Sequence, residues 1–113
     1  MPVAIQIPNV RGGEAPDRTE LAAMLGRAEE AGFHSAWVME HALGGASALE
    51  PLMTLAFAAG QTSSIGLALA VTILATHQPV RLAREAATID HLSGGRLTLG
   101  GLGARASGSG VGW

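Results

Sequence analysis

The sequence predicts an α/β fold built on a parallel sheet, and three observations predict it. Short apolar runs alternate with helical patterns in the order β-α-β-α-β-α-β, at roughly 30 residues per repeat, the size of a βαβ unit. The third run, Ile65–Leu74, places Ile65, Leu67, Leu69, Val71 and Ile73 on one face and Gly66, Ala68, Ala70 and Thr72 on the other. Apolar or small residues on both faces fit a strand covered on both sides. From Pro79 to Gly100 a helical pattern runs through Ser93-Gly94-Gly95 straight into an alternating strand, which is half of a crossover. Such alternation implies a parallel sheet with right-handed connections.

The elements follow in order. Val3–Ile7 reads as a strand ended by Pro8-Asn9, and Val10–Ala15 as a glycine-containing loop. Asp17 and Glu20 form an Asp-x-x-Glu variant of the capping box. Leu21, Leu25 and Ala28 then share a helical face, Gly32 closes the helix, and Phe33 can fold back onto it. Ala36–Met39 is the second strand, with Glu40-His41 at its C-terminal end. Pro51 suits a first helical turn, because its missing N–H lacks an intrahelical partner anyway. Leu52, Leu55, Ala56 and Ala59 give that helix its apolar stripe, broken by Thr62-Ser63-Ser64. Pro79 opens a third helix with Leu82, Ala83, Ala86 and Ile89 on one face, and Arg96–Gly100 is the fourth strand. The expected strands are therefore 3–7, 35–39, 65–74 and 96–100, in sequential order. Residues 104–113 are rich in Gly and Ser and read as a flexible tail behind a folded unit of residues 1–103.

Composition narrows the classes. With 113 residues there is at most one ordinary domain. A charged fraction of 14% with 16 glycines favours buried strands and small-residue packing over a solvated bundle. A net charge of -2 gives no electrostatic case for nucleic acid. The N-terminus lacks a signal-peptide pattern, and the apolar run at 65–74 is far short of the ~20 residues that span a bilayer. Cysteine is absent, which excludes disulfide and thiolate chemistry and is compatible with a cytoplasmic location.

In parallel α/β folds functional groups collect where strands end and βα loops begin. That rule selects Asn9, Glu40, His41, Thr72, Gly101 and Gly103. His41 beside Glu40 is the sharpest polar feature, read either as an imidazole that hydrogen-bonds a substrate or cofactor carbonyl or as a surface histidine. His77 lies on the same side, as polar lining or, by preference, as a solvated loop residue. Gly101-Leu102-Gly103-Ala104-Arg105-Ala106 satisfies the dinucleotide pattern G-x-G-x-x-A, yet no following helix or acidic residue ~20 positions later can complete it. Ser93 reads as a turn residue and not as a nucleophile. No spacing of metal ligands is present.

The segment Glu29-Glu30-Ala31-Gly32-Phe33-His34-Ser35-Ala36-Trp37-Val38-Met39-Glu40-His41 resembles one found in luciferase-like flavin-dependent oxidoreductases. Leu49–Leu52 through Ile65–Leu67 is similar to the second helix and third strand of that family. Pro79–Ala83 through Leu92–Gly100 is the most specific match. The resemblance spans nearly all of residues 3–103. It implies the N-terminal half of a (β/α)8 TIM barrel, reduced FMN or the deazaflavin F420 as cofactor, and hydride or oxygen chemistry on a small organic substrate. It implies that Ala70-Val71 corresponds to the family's non-proline cis peptide beneath the flavin ring, and that His41 with Glu40 stands on the substrate side as the catalytic pair. Asn9, Ala70, Val71, Thr72, Gly101 and Gly103 become the cofactor-side residues. The family commonly continues after its fourth strand into a GxGxGW segment, whereas here 103–109 intervene before Gly110-Val111-Gly112-Trp113. A barrel usually needs ~250 residues, so the expectation is a fragment lacking its C-terminal half, or a half-barrel that associates with another copy. A non-catalytic half-barrel acting through association is the alternative.

Overall fold

The computed structural model describes residues 3–8, 14–40, 49–72, 77–101 and 104–106. Eight elements follow in order: β1 (Ala4–Gln6), α1 (Arg18–Glu30), β2 (Ser35–Val38), α2 (Pro51–Gln61), β3 (Gly66–Thr72), α3 (Pro79–Leu92), β4 (Leu97–Gly101) and β5 (Ala104–Ala106). The sheet order is β1-β2-β3-β4-β5. The first four strands are parallel and sequential, as expected, with Ala36 opposite Ile5 and Leu67, and Leu97 opposite Leu67. This is an α/β half-barrel arrangement.

Each helix starts where a side chain meets its free backbone donors. The Asp17 carboxylate accepts from the N–H of Thr19 at 3.0 Å and of Glu20 at 3.4 Å. At α2 and α3 the caps are Glu50, accepting from Met53 N–H at 2.9 Å, and Gln78, accepting from Arg81 N–H at 2.7 Å. Each precedes a proline in the first turn. The α3 helix ends in a left-handed turn, with φ of 75° at Gly94 and 84° at Gly95, and Gly95 N–H returns to Asp90 C=O at 2.7 Å. Only glycine takes such dihedrals without steric cost. Ser93 Oγ accepts from Arg96 N–H, and Asp90 accepts from Leu97 N–H. These bonds make Ser93 a turn residue.

One face of the sheet is covered. Ile7, Ala36, Val38, Leu67, Leu69, Leu97 and Leu99 are buried against Leu21, Leu25 and Ala28 of α1, Leu52, Leu55, Ala58 and Ala59 of α2, and Leu82, Ala86 and Ile89 of α3. The alternate positions behave differently. Trp37, Gly66, Ala68, Ala70 and Gly100 are half-buried, and Gln6 and Thr98 are exposed. The expectation of β3 covered on both faces thus holds on one face only. The small residues on the other face fit the interior of a closed barrel, where strands from across the barrel would approach.

At its far edge the sheet departs from expectation. Residues 104–106, expected in a flexible tail, form β5, which pairs antiparallel with β4: Leu99 faces Ala106 and Gly101 faces Ala104. Two intervening residues permit only an antiparallel return, since a parallel one needs a crossover of about a dozen residues or more. Residues 107–113 lie outside the described residues. The strand at 104–106 also replaces the helix that a dinucleotide fingerprint would require there.

Candidate functional site

The sheet has two chemically distinct ends. At the N-terminal end, one oxygen of the Glu29 carboxylate accepts from the backbone N–H groups of Ser63 (2.8 Å), Ser64 (2.6 Å) and Ile65 (3.0 Å) and from Ser64 Oγ. These bonds hold its pKa down at about 2, the Ser64 N–H first, with burial opposing them. Beside it the Arg96 guanidinium donates to Ser93 C=O, Thr62 Oγ1 and the carbonyls of Ala59, Thr62 and Ile65. Sequence reasoning singled out neither residue. Arg96 carried a signal, a charged residue directly before an apolar strand, whereas Glu29 lies inside α1 and carried none. Their chemistry is anchoring, because every contact goes to backbone or to Thr62 and Ser64 hydroxyls.

At the C-terminal end the described residues bring fewer polar groups together. Glu40 lies two residues beyond Val38, which pairs with Leu69, so it stands level with the end of β3. Its Oε2 meets Nε2 of His77 at 2.5 Å, and the two side chains are only 8% and 14% exposed. His77 is therefore polar lining tied to Glu40 and not the solvated loop residue preferred from sequence. The pair borders a cavity of about 390 Å3 whose other walls are Glu50, Gln78, Arg81 and Glu85. A larger hollow of about 760 Å3 lies between α2 and α3, lined by residues such as Leu52, Met53, Val80 and Arg84, and includes no strand residue.

On the next strand the ladder register shifts between Ala70 and Thr72, so that Ala70 faces Gly100 and Thr72 faces Gly101. The irregularity falls at Val71, in the dipeptide the resemblance singled out. Thr72 is fully buried and, among the described residues, its Oγ1 has no hydrogen-bond partner. An unpartnered buried hydroxyl costs about 1–3 kcal/mol. Ala70 and Gly100, side by side on the uncovered face, leave a surface without bulky side chains.

The structure thus brings Glu40, Ala70, Val71, Thr72 and Gly101 to one end of three adjacent strands and adds His77 to them. His41, Asn9 and Gly103 lie outside the described residues. Among the described residues, no group of three or more His, Cys, Asp or Glu side chains could hold a metal ion, and no helix is long and apolar enough to cross a membrane.

A sequential parallel sheet with crossover helices on one face is the arrangement of a (β/α)-barrel protein. The luciferase-like monooxygenase family model matches residues 1–107, and the chain belongs to that family. It is 39% identical over 82 residues to 4-hydroxyprotoasukamycin monooxygenase of Streptomyces nodosus subsp. asukaensis, covering 72% of this chain and 21% of that one. It superposes with a TM-score of 0.72 on the coenzyme F420-dependent tetrahydromethanopterin reductase of Methanopyrus kandleri, at 30% identity, covering 88% of this chain and 26% of the other. The oxygenating constituent of 3,6-diketocamphane monooxygenase from Pseudomonas putida, solved with FMN, shares the fold with a TM-score of 0.74 at 23% identity, over 96% of this chain and 30% of the other. The chain spans about a fifth of the length of the curated relatives it matches.

Proposed function

We propose that this chain supplies the β2–β4 side of a site for reduced FMN or F420 in an oxidoreductase that acts on a small organic substrate. The carrying observation is the unpartnered, fully buried Thr72 hydroxyl at the register shift in β3, next to a surface of small residues. A flat ring bearing carbonyl and N–H groups suits that combination. Ala70 and Gly100 leave room for the ring, and in this reading the ring's polar edge meets the Thr72 hydroxyl at the end of the same strand once the site is complete. Glu40 with His77, followed in the chain by His41, supplies the polar groups on the substrate side. The cofactor, when bound, supplies hydride transfer or, as reduced FMN, chemistry with oxygen. The chain's own part is to seat the ring, to leave the covered face of the sheet dry, and to hold a proton-bearing imidazole near the substrate.

Whole-enzyme activity in this reading needs the rest of a barrel, which contributes the remaining walls and cofactor contacts. Each missing charge-assisted hydrogen bond of about 1.5–3 kcal/mol weakens binding by roughly tenfold or more. The 113-residue chain alone is therefore expected to bind either cofactor with a dissociation constant weaker than about micromolar and to turn nothing over. Titration with FMN and F420 in both redox states checks this. A weak but saturable response to one of them supports the reading, and no response to either overturns it.

The half-buried face through Trp37, Ala68 and Ala70 favours a second reading, a non-catalytic half-barrel that covers this face by self-association. Sedimentation at micromolar concentration distinguishes the two. A concentration-dependent dimer without any cofactor response supports the second, and a stable monomer removes it.

A further inference from the structure

Six side chains surround the strand-end cavity, and four of them are exposed. Glu50 and Gln78 cap α2 and α3, while Arg81 and Glu85 lie on the open side of α3. Glu40 and His77 alone are largely withdrawn from water, and they join two different βα connections that lie 37 residues apart in sequence. A carboxylate only accepts, so the imidazole presents Nε2–H to it. Among the described residues Nδ1 makes no hydrogen bond.

This contact is not needed to start α3. Gln78 and Pro79 already cap that helix, and Leu82, Ala86 and Ile89 bury its inner face. Its position at the C-terminal strand ends is where (β/α) barrels keep chemistry, whereas the anchoring contacts of this chain gather at the other end. In a place with little water, a charge-assisted bond is strong.

We infer that His77 is a positioning residue of the strand-end site: it holds Glu40, and through Glu40 the end of β2 that leads into His41. This rests on the FMN or F420 reading above. The experiment uses the full chain and three variants, His77→Leu, His77→Gln and Glu40→Gln, each checked for folding by circular dichroism at the working temperature. The first readout is the 15N spectrum of the His77 imidazole, which needs no cofactor. Nε2 is expected to appear protonated, and Glu40→Gln is expected to shift it. The second is the affinity for whichever of FMN and F420 the unaltered chain binds. His77→Leu is expected to weaken it about tenfold, and His77→Gln, which can still donate to Glu40, to recover most of the loss. A purely structural contact would lower stability and leave the affinity of the folded variant unchanged, and that result overturns the inference. If the unaltered chain binds neither cofactor, the cofactor reading fails and the imidazole signal decides alone. A shift on Glu40→Gln then keeps His77 as the group that positions Glu40, and an unmoved signal overturns it.

Discussion

Arg96 at the N-terminal end of the sheet and Glu40 at its C-terminal end are both charges partly withdrawn from water, yet they meet different surroundings. Arg96 donates five hydrogen bonds that tie the end of α2, the start of β3 and the turn before β4 together. Glu29 does the same with an acceptor, taking three consecutive backbone N–H groups. At the other end, Glu40 meets a second titratable side chain, and one strand over a buried hydroxyl has no partner. Among the described residues the first end is saturated, and at the second the Thr72 hydroxyl is not. Saturated polar groups specify a fold, while unsatisfied ones are free energy held for a ligand or a reaction.

The largest effect expected from this contrast is at Arg96. Arg96→Met keeps much of the apolar stem but removes every donor, leaving the carbonyls of Ala59, Thr62 and Ile65 without it. Urea denaturation is expected to show a loss of about 3 kcal/mol. A loss under about 0.5 kcal/mol, the range of an ordinary surface substitution, would break the contrast from the saturated side.

Much of the fold was legible because its causes are local. Pro51 and Pro79 marked helix starts, Asp17 announced a cap, and Gly94-Gly95 marked a turn whose positive φ values only glycine tolerates well. The apolar alternation at 65–72 fixed the facing of Leu67 and Leu69. What the sequence concealed is contact between loops. Glu40 and His77 are 37 residues apart, and Glu29 and Ser64 are 35 apart, with no periodicity to link them. The predicted sheet order did carry half of the answer, since it set Glu40 and His77 at the same end. Whether they touch depends on loop paths that patterning does not specify. Glu50 and Gln78 escaped notice as caps because longer side chains are less common in that role than Asp, Asn, Ser or Thr. The strand at 104–106 was hidden by its Gly/Ser-rich surroundings.

Glu29 sharpens the comparison through pH. Its carboxyl titrates at about 2 in the folded chain against an ordinary 4.5. The unfolded chain therefore binds the proton first, and stability rises with pH between those values. The contribution is complete above about 4.5 and is lost as pH falls through about 2. Acid titrations of stability should show this limb in the unaltered chain and a flatter one in Glu29→Gln. Equal slopes in the two would mean that the three N–H groups do not hold the carboxylate in solution.

Thr72 gives the smallest change in stability and the clearest sign. Valine has nearly the same shape as threonine, and Thr72→Val removes only a hydroxyl that makes no hydrogen bond among the described residues. Substitutions at saturated positions such as Arg96 destabilise. Here the desolvation cost disappears with the group, so stability is expected to stay level or to rise by up to about 1 kcal/mol. Cofactor affinity should move the other way, because in the proposed site the hydroxyl exists to meet the ring. Denaturation and cofactor titration of the same variant therefore test one claim from two sides. A stability gain with weakened binding of FMN or F420 makes Thr72 a group kept at a cost to the fold. A loss of about 1 kcal/mol instead would show that the hydroxyl already has a partner in solution, such as a buried water, and the strand end would then be as saturated as the other.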